Sequence, residues 1–142
     1  MLVGKKDYFY LRLESLVKKR GLSERVVFFG QVTDRQLANL YTNALSLVFP
    51  SLMEGFGLPL VEALYFGSPV ICADIPVFHE ILGDLPLYFN PLAQSSLLDR
   101  MQEIFLHRNS MPQNIASNFN KRYSWQSLTN ETLRLYKSAI TK

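Results

Sequence analysis

Apolar residues along the chain fall into five short runs that alternate with longer stretches in which apolar positions recur at helical spacing. The short runs are rich in β-branched and aromatic residues and end at glycine, proline, asparagine or aspartate, which is typical of buried strands. The predicted strands are Leu2–Gly4, Val26–Phe29, Leu45–Phe49, Val70–Ala73 and Leu87–Phe89.

Capping residues mark the helices between these strands. Asp7 is placed to cap the first helix, and Thr33 with Gln36 three residues later forms a capping box for the second. Pro59 suits the first turn of the third helix, because its missing N–H is not needed there. The predicted helices are Tyr8–Arg20, one that carries Tyr41, Leu58–Phe66, one from Pro76 to near Gly83, one capped by Ser95 or Ser96, 112–121, and Ser124 to about Ile140.

Strands that alternate with helices predict an α/β fold with one parallel, doubly wound, Rossmann-like sheet covered by helices on both faces. Such sheets bind ligands at the carboxyl ends of their strands. Gly30, Pro50, Asp74 and Asn90 all follow predicted strands. We therefore expect several of them to lie along one edge of the sheet.

Composition is consistent with a single domain covering residues 1–142. The chain is 48% hydrophobic, which excludes a disordered protein, and no apolar run is long enough to span a bilayer. The net charge of +3 gives no indication of nucleic-acid binding. The one cysteine, Cys72, excludes an internal disulfide, and no cleavable signal pattern is seen, so we expect the cytoplasm, either free or at the inner face of the membrane.

The stretch from Pro50 to Ala63 carries the candidate chemistry. Gly55 and Gly57 flank Phe56 in a turn between a strand and a helix, and a helix N-terminus favours anions. Glu54 and Glu62 lie near this turn, where carboxylates would repel a bare phosphate. They suit hydroxyl groups instead, so the stretch indicates a ligand with both phosphates and hydroxyls, such as a nucleotide sugar.

Glu54 and Glu62, with seven residues between them, resemble the Glu-x7-Glu motif of the GT-B glycosyltransferases of retaining family 4, group 1. The resemblance covers nearly the whole chain, in the family's order and spacing. Its further segments are Phe29–Val32, Gly67–Ile71, Leu87–Pro91 and Tyr123–Trp125. It implies the C-terminal, donor-binding domain of such an enzyme.

The resemblance also implies roles for individual residues. Glu54 would contact the donor sugar together with Gly55, Phe56 and Gly57, whereas Leu58, Glu62 and Gly30 would contact the nucleotide and its diphosphate. The backbone N–H groups of Phe56, Gly57 and Leu58 would face the sugar and diphosphate. A structural alternative exists for each carboxylate: Glu54 would accept hydrogen bonds from helix N–H groups, and Glu62 would simply face solvent.

No metal or cofactor is expected. The two histidines are not at metal-ligand spacing, and Cys72 stands alone in a strand. His79 and Glu80 are adjacent on a short helix and so point in different directions, which favours ordinary surface residues over an acid–base pair.

The resemblance also indicates what is missing. The family domain has one more strand, first in sequence and central in the sheet, followed by a loop whose arginine and lysine hold the diphosphate. Lys5 and Lys6 follow the second family strand and are not the counterparts of these cations. Without the first strand, its two neighbours would pair directly, leave a gap for another chain, or expose their edges.

The implied reaction is transfer of a sugar from a nucleotide-diphosphate donor to an acceptor with retention. We expect this chain to supply part of the donor site and to be inactive alone. Two alternatives stay open: a donor-binding subunit that works with a separate N-terminal-domain polypeptide carrying the acceptor site, and a non-enzymatic remnant that self-associates.

Overall fold

The computed structural model describes residues 1–107 and 124–140, in which strands and helices alternate as predicted. The predicted helix at 112–121 lies outside the described residues. The elements are β1 (Leu2–Val3), α1 (Tyr8–Lys19), β2 (Phe28–Gly30), α2 (Asp34–Asn43), β3 (Leu47–Phe49), α3 (Leu58–Tyr65), β4 (Val70–Ala73), α4 (Pro76–Leu82), β5 (Leu87–Phe89), α5 (Gln94–His107) and α6 (Trp125–Ile140). This order confirms the Rossmann-like α/β fold.

All strand pairs are parallel, but they form two sheets rather than the one expected. β1 pairs with β2, and β3, β4 and β5 form a second sheet in that order. The first pair belongs to a compact unit of Met1–Leu40, and the second sheet to a unit of Tyr41–Lys142. Within the described residues, β1 and β3 each have a strand partner on one side, which leaves one open edge on each.

The first unit confirms both predicted helix caps. The Asp7 carboxylate accepts a hydrogen bond from the Tyr10 N–H at 2.9 Å. The Gln36 side chain accepts the Thr33 N–H at 2.9 Å, and the Thr33 hydroxyl accepts the Gln36 N–H at 3.3 Å. Val17 is the buried residue of α1, whereas Leu11, which the helical pattern also places inward, is half exposed.

The core of the second unit surrounds β4. This strand lies between β3 and β5, so all four of its residues are buried, as expected for a central parallel strand. Phe89 of β5 and Tyr41 are also buried, and helices α3, α4 and α5 contribute further buried apolar side chains. These are Leu60, Ala63, Leu64, Phe78, Ile81, Leu82 and Ile104.

The start of α5 differs from the prediction of a Ser95 or Ser96 cap. The helix begins at Gln94. The Ser96 hydroxyl accepts the Asn90 N–H at 3.0 Å, and the Asn90 side chain accepts the Leu92 N–H at 2.9 Å. Asn90 thus forms the turn after β5, and Ser96 fastens that turn to the first turn of the helix. The last helix was predicted to begin at Ser124; it begins at Trp125, and the Ser124 hydroxyl accepts the Ser127 N–H at 3.1 Å.

Burial of Cys72 predicts a loss of stability at alkaline pH. Burial, reinforced by the negative charge of Asp74, raises the pKa of the Cys72 thiol to about 12 from its ordinary 9.0. Between these values the unfolded chain releases a proton that the native chain retains, so the free energy of unfolding must fall as pH rises, by up to about 1.4 kcal/mol per pH unit. Urea unfolding at pH 8 and pH 10.5 measures this fall.

Cys72→Ala is the matched control, because it removes the thiol and keeps a small apolar side chain. Its free energy of unfolding should fall less than that of the wild type over the same pH range. The other groups that ionise between pH 8 and pH 10.5 are common to both chains, so their effects on the free energy of unfolding cancel in the comparison. An equal fall in both chains would contradict the assignment.

Candidate functional site

The loop from β3 to α3 depends on Gly57. This residue precedes the first turn of α3 with φ +86°, in the left-handed region, and its carbonyl accepts the Leu60 N–H at 2.9 Å. A Cβ here would lie 2.9 Å from a carbon of the Phe78 ring and 3.1 Å from Leu60 Cδ1. Conformation and space both require glycine at this position.

The N-terminus of α3 has no side-chain cap. Gly57 has no side chain that could accept a hydrogen bond, and none caps this helix in the part of the chain that the structure describes. The second helical residue is Pro59, which has no N–H. The uncapped end therefore presents a partial positive charge to whatever lies in front of it, and a negatively charged ligand group is favoured there.

Glu54 lies in this loop and is partly exposed. Among the hydrogen bonds of residues 1–107 and 124–140, none involves its carboxylate, and no side chain caps α3. The structural alternative, in which Glu54 accepts helix N–H bonds, is therefore wrong in this structure. Its carboxylate retains its full capacity to accept hydrogen bonds from a ligand.

Glu62 is exposed on α3 but is not simply directed into solvent. Its Oε2 accepts a hydrogen bond from the Tyr41 hydroxyl at 3.1 Å. Tyr41 is 7% exposed, and its ring stacks on Phe66 with centroids 6.1 Å apart and planes at 18°. Burial, followed by the negative charge of Glu62, raises the pKa of Tyr41 above its ordinary value.

A cleft of about 910 Å³ opens beside the loop, within the second unit. Its walls come from the loop, from the first turns of α3, from α4 and from the first turns of α6. Lining residues include Gly55, Phe56, Leu58, Glu80, Trp125 and Glu131. Three of the predicted site residues, Gly55, Phe56 and Leu58, thus line one cleft, whereas Glu54, Gly57 and Glu62 do not line it.

Gly30, the remaining predicted site residue, belongs to the first unit. It is the last residue of β2, with φ +69°. Its carbonyl accepts the Gly4 N–H at 3.0 Å, so one lone pair is already used within that unit. The predicted contact of Gly30 with the nucleotide stays a prediction.

Asp74 and His79 form a pair that the sequence pattern did not reveal. His79 Nε2 lies 2.7 Å from Asp74 Oδ1, and the imidazole stacks on the Tyr88 ring with centroids 3.9 Å apart. Asp74 follows β4, and His79 is on α4, five residues later. Adjacency along the chain indicates only Glu80 as a partner for His79, whereas the observed partner, Asp74, lies across the turn.

The described residues include no group of three or more histidine, cysteine, aspartate or glutamate side chains arranged to hold a metal ion. No helix within 1–107 or 124–140 has the length and apolar character needed to cross a membrane.

Comparison with known sequences gives one family and a set of relatives. The family described as Glycosyl transferases group 1 matches residues 1–122. The O-antigen chain mannosyltransferase RfbU of Salmonella typhimurium is 35% identical over 130 residues, which cover 90% of this chain and 35% of that protein. The O-antigen chain mannosyltransferase B of Escherichia coli is 32% identical, over 84% of this chain and 32% of that protein.

Among solved structures, the sucrose-phosphate synthase of Thermosynechococcus elongatus superposes with a TM-score of 0.81 at 27% identity. The match covers 99% of this chain and 38% of that enzyme. The chain therefore spans about a third of the length of the proteins to which it is similar.

Gly57→Ala should destabilise the chain by about 1–3 kcal/mol, because alanine is strained at this φ and its methyl group would press against buried Phe78. Urea unfolding followed by circular dichroism measures the change.

Gly55→Ala is the matched control. Gly55 has no heavy atom within 4 Å of an added Cβ and no positive φ. It should change the free energy of unfolding by no more than about 0.5 kcal/mol. Equal stability of the two variants would show that Gly57 does not constrain the loop.

Proposed function

The chain belongs to the group 1 glycosyl transferases, and from that membership we propose that it binds the donor in the transfer of a hexosyl residue from a nucleotide-diphosphate sugar, with retention of configuration. The relatives named above are mannosyltransferases. Their names support mannose as the transferred sugar.

This proposal rests on one observation. The uncapped N-terminus of α3 has one carboxylate before it and one after it in the sequence, and the two differ in the hydrogen bonds that they already accept. The helix end favours a phosphate. Glu54 has no hydrogen bond within the described residues, and Glu62 is bonded through one oxygen only. Phosphate-binding and hydroxyl-binding groups thus lie in one short segment, which matches the two kinds of group in a nucleotide sugar.

In the proposed arrangement, Glu54 accepts hydrogen bonds from the hydroxyls of the donor sugar. Gly55, Phe56 and Gly57 surround the sugar through their backbone, and Leu58 lies beside the diphosphate. Glu62 accepts the ribose hydroxyls.

The protein's contribution to the reaction is positioning and electrostatics rather than covalent chemistry. Holding the donor by its hydroxyls orients the anomeric carbon toward the acceptor. As the bond to the diphosphate breaks, negative charge grows on the leaving group, and the N-terminus of α3 stabilises that charge more in the transition state than in the ground state. Tight turn geometry at Gly57 holds this helix end in place before substrate binds.

We propose that turnover needs the acceptor-binding part of the enzyme, supplied by another domain or by a separate polypeptide. In this chain alone, donor binding is the expected activity. The proposed location is the cytoplasm, where a free thiol such as Cys72 stays reduced.

Thermal melting with nucleotides tests the donor site. The chain is melted with GDP, UDP, ADP and their mannose and glucose conjugates. A ligand that binds only the folded state raises the melting temperature, and at one hundred times its Kd the stabilisation is about 2.7 kcal/mol. We expect a shift with one base, and a larger shift with the mannose conjugate of that base than with its glucose conjugate.

Glu62→Gln and Glu54→Gln serve as matched variants, since each keeps the size of the side chain and removes its charge. Glu62→Gln should reduce the shift with the free nucleoside diphosphate. Glu54→Gln should reduce only the extra shift that the sugar adds. A chain that melts cooperatively and shifts with none of these compounds would refute a donor site here.

Self-association is a second candidate, supported by apolar residues on α6 and by the edges of β1 and β3 that no other described strand covers. Trp125, Leu128 and Leu135 of that helix are each more than half exposed. Multi-angle light scattering across a hundredfold range of concentration should then show a mass that rises above 16.3 kDa. A constant monomer mass would exclude it.

A further inference from the structure

The Tyr41–Glu62 contact joins a buried side chain to an exposed one. Tyr41 is 7% exposed and its ring is held against Phe66, so its hydroxyl has a fixed position. Glu62 lies on the exposed face of α3, where an isolated glutamate would move among several rotamers. The 3.1 Å hydrogen bond to Oε2 therefore restricts the carboxylate rather than the tyrosine.

We propose that Tyr41 is a positioning residue that holds the Glu62 carboxylate in the orientation that accepts the ribose hydroxyls of the donor nucleotide. The inference rests on the proposed function and adds a specific residue to it. Tyr41 itself does not touch the ligand.

The hydrogen-bonding capacity of a carboxylate makes this arrangement workable. Two carboxylate oxygens offer about four acceptor positions, and Tyr41 uses one of them. Oε1 has no hydrogen bond within the described residues, and Oε2 retains a second lone pair. A ribose presents two adjacent hydroxyls, which two acceptor positions on one fixed carboxylate can bind together.

The tyrosine is suited to act only as a donor. Burial and the neighbouring carboxylate keep its hydroxyl protonated well beyond neutral pH, since they raise the pKa of Tyr41. The O–H therefore points at Glu62 throughout the physiological range and cannot become a competing anion.

A second tyrosine provides an internal comparison. Tyr65 lies on the same helix, is 58% exposed, and its ring meets Phe66 edge-to-face at 5.2 Å between centroids. No hydrogen bond of its hydroxyl is present in the described part of the chain. Removing that hydroxyl changes the same atoms without affecting Glu62.

The experiment compares wild type, Tyr41→Phe, Tyr65→Phe and Glu62→Gln by isothermal titration calorimetry. The probe is whichever of GDP, UDP and ADP binds the wild type, alongside its 2′,3′-dideoxy analogue. We expect Tyr41→Phe to weaken binding of the ribonucleotide by roughly three- to tenfold, which corresponds to the net contribution of one typical hydrogen bond. It should leave binding of the dideoxy analogue unchanged, and Tyr65→Phe should leave both unchanged.

Adding Tyr41→Phe to Glu62→Gln should cause little further loss, because the carboxylate that Tyr41 positions is already gone. Unchanged binding in Tyr41→Phe, or an equal loss for both nucleotides, would overturn the inference and leave the donor site intact. Failure of the wild type to bind any of the three nucleotides would overturn the proposed function, and this inference with it.

If Tyr41→Phe does not fold, the wild type labelled with ¹³C at tyrosine Cζ supplies the same test. The Tyr41 resonance should move when the ribonucleotide is added and should move much less with the dideoxy analogue. Equal movement with both would overturn the inference.

Discussion

The second unit depends on one close approach, that of the Gly57 backbone to the Phe78 ring. Phe78 is fully buried and is packed by α4 against the same core that α3 enters through Leu60, Ala63 and Leu64. Only a residue without a side chain fits between that ring and the start of α3. The chain can therefore turn from β3 into α3 within a few residues and still bury the apolar side of the helix.

The functional groups follow from this packing. The apolar side of α3 is packed in the core, so Glu62 lies on its exposed face. The uncapped N-terminus of the helix lies at the end of the loop. Tyr41, from the preceding helix, is buried against Phe66 and reaches the exposed carboxylate from within. The binding groups are thus fixed in place by buried contacts on the other side of the helix, not by one another.

Most of the strands and helix caps could be predicted from the sequence, because each depends on residues close together in the chain. Val70–Ala73 and Leu87–Phe89 were placed correctly as strands since each is a compact apolar run between turn residues. The Thr33–Gln36 capping box follows from spacing alone. In contrast, the Tyr41–Glu62 bond joins residues 21 positions apart on different helices, and no local pattern indicates it.

The other differences between the prediction and the structure also arise from contacts that no local pattern indicates. The division into two sheets depends on which strands pair, and the Asp74–His79 contact depends on how a turn closes. At the start of α5, the sequence indicates Ser96 as a cap, but its hydroxyl accepts the Asn90 N–H of the preceding turn instead.

The position of Trp125 has a practical consequence. It is the chain's one tryptophan, lies on the cleft that Gly55 and Phe56 line, and is 84% exposed. Its fluorescence emission therefore comes from a hydrated indole, and a ligand that covers this side chain will shift the emission to the blue without any added label.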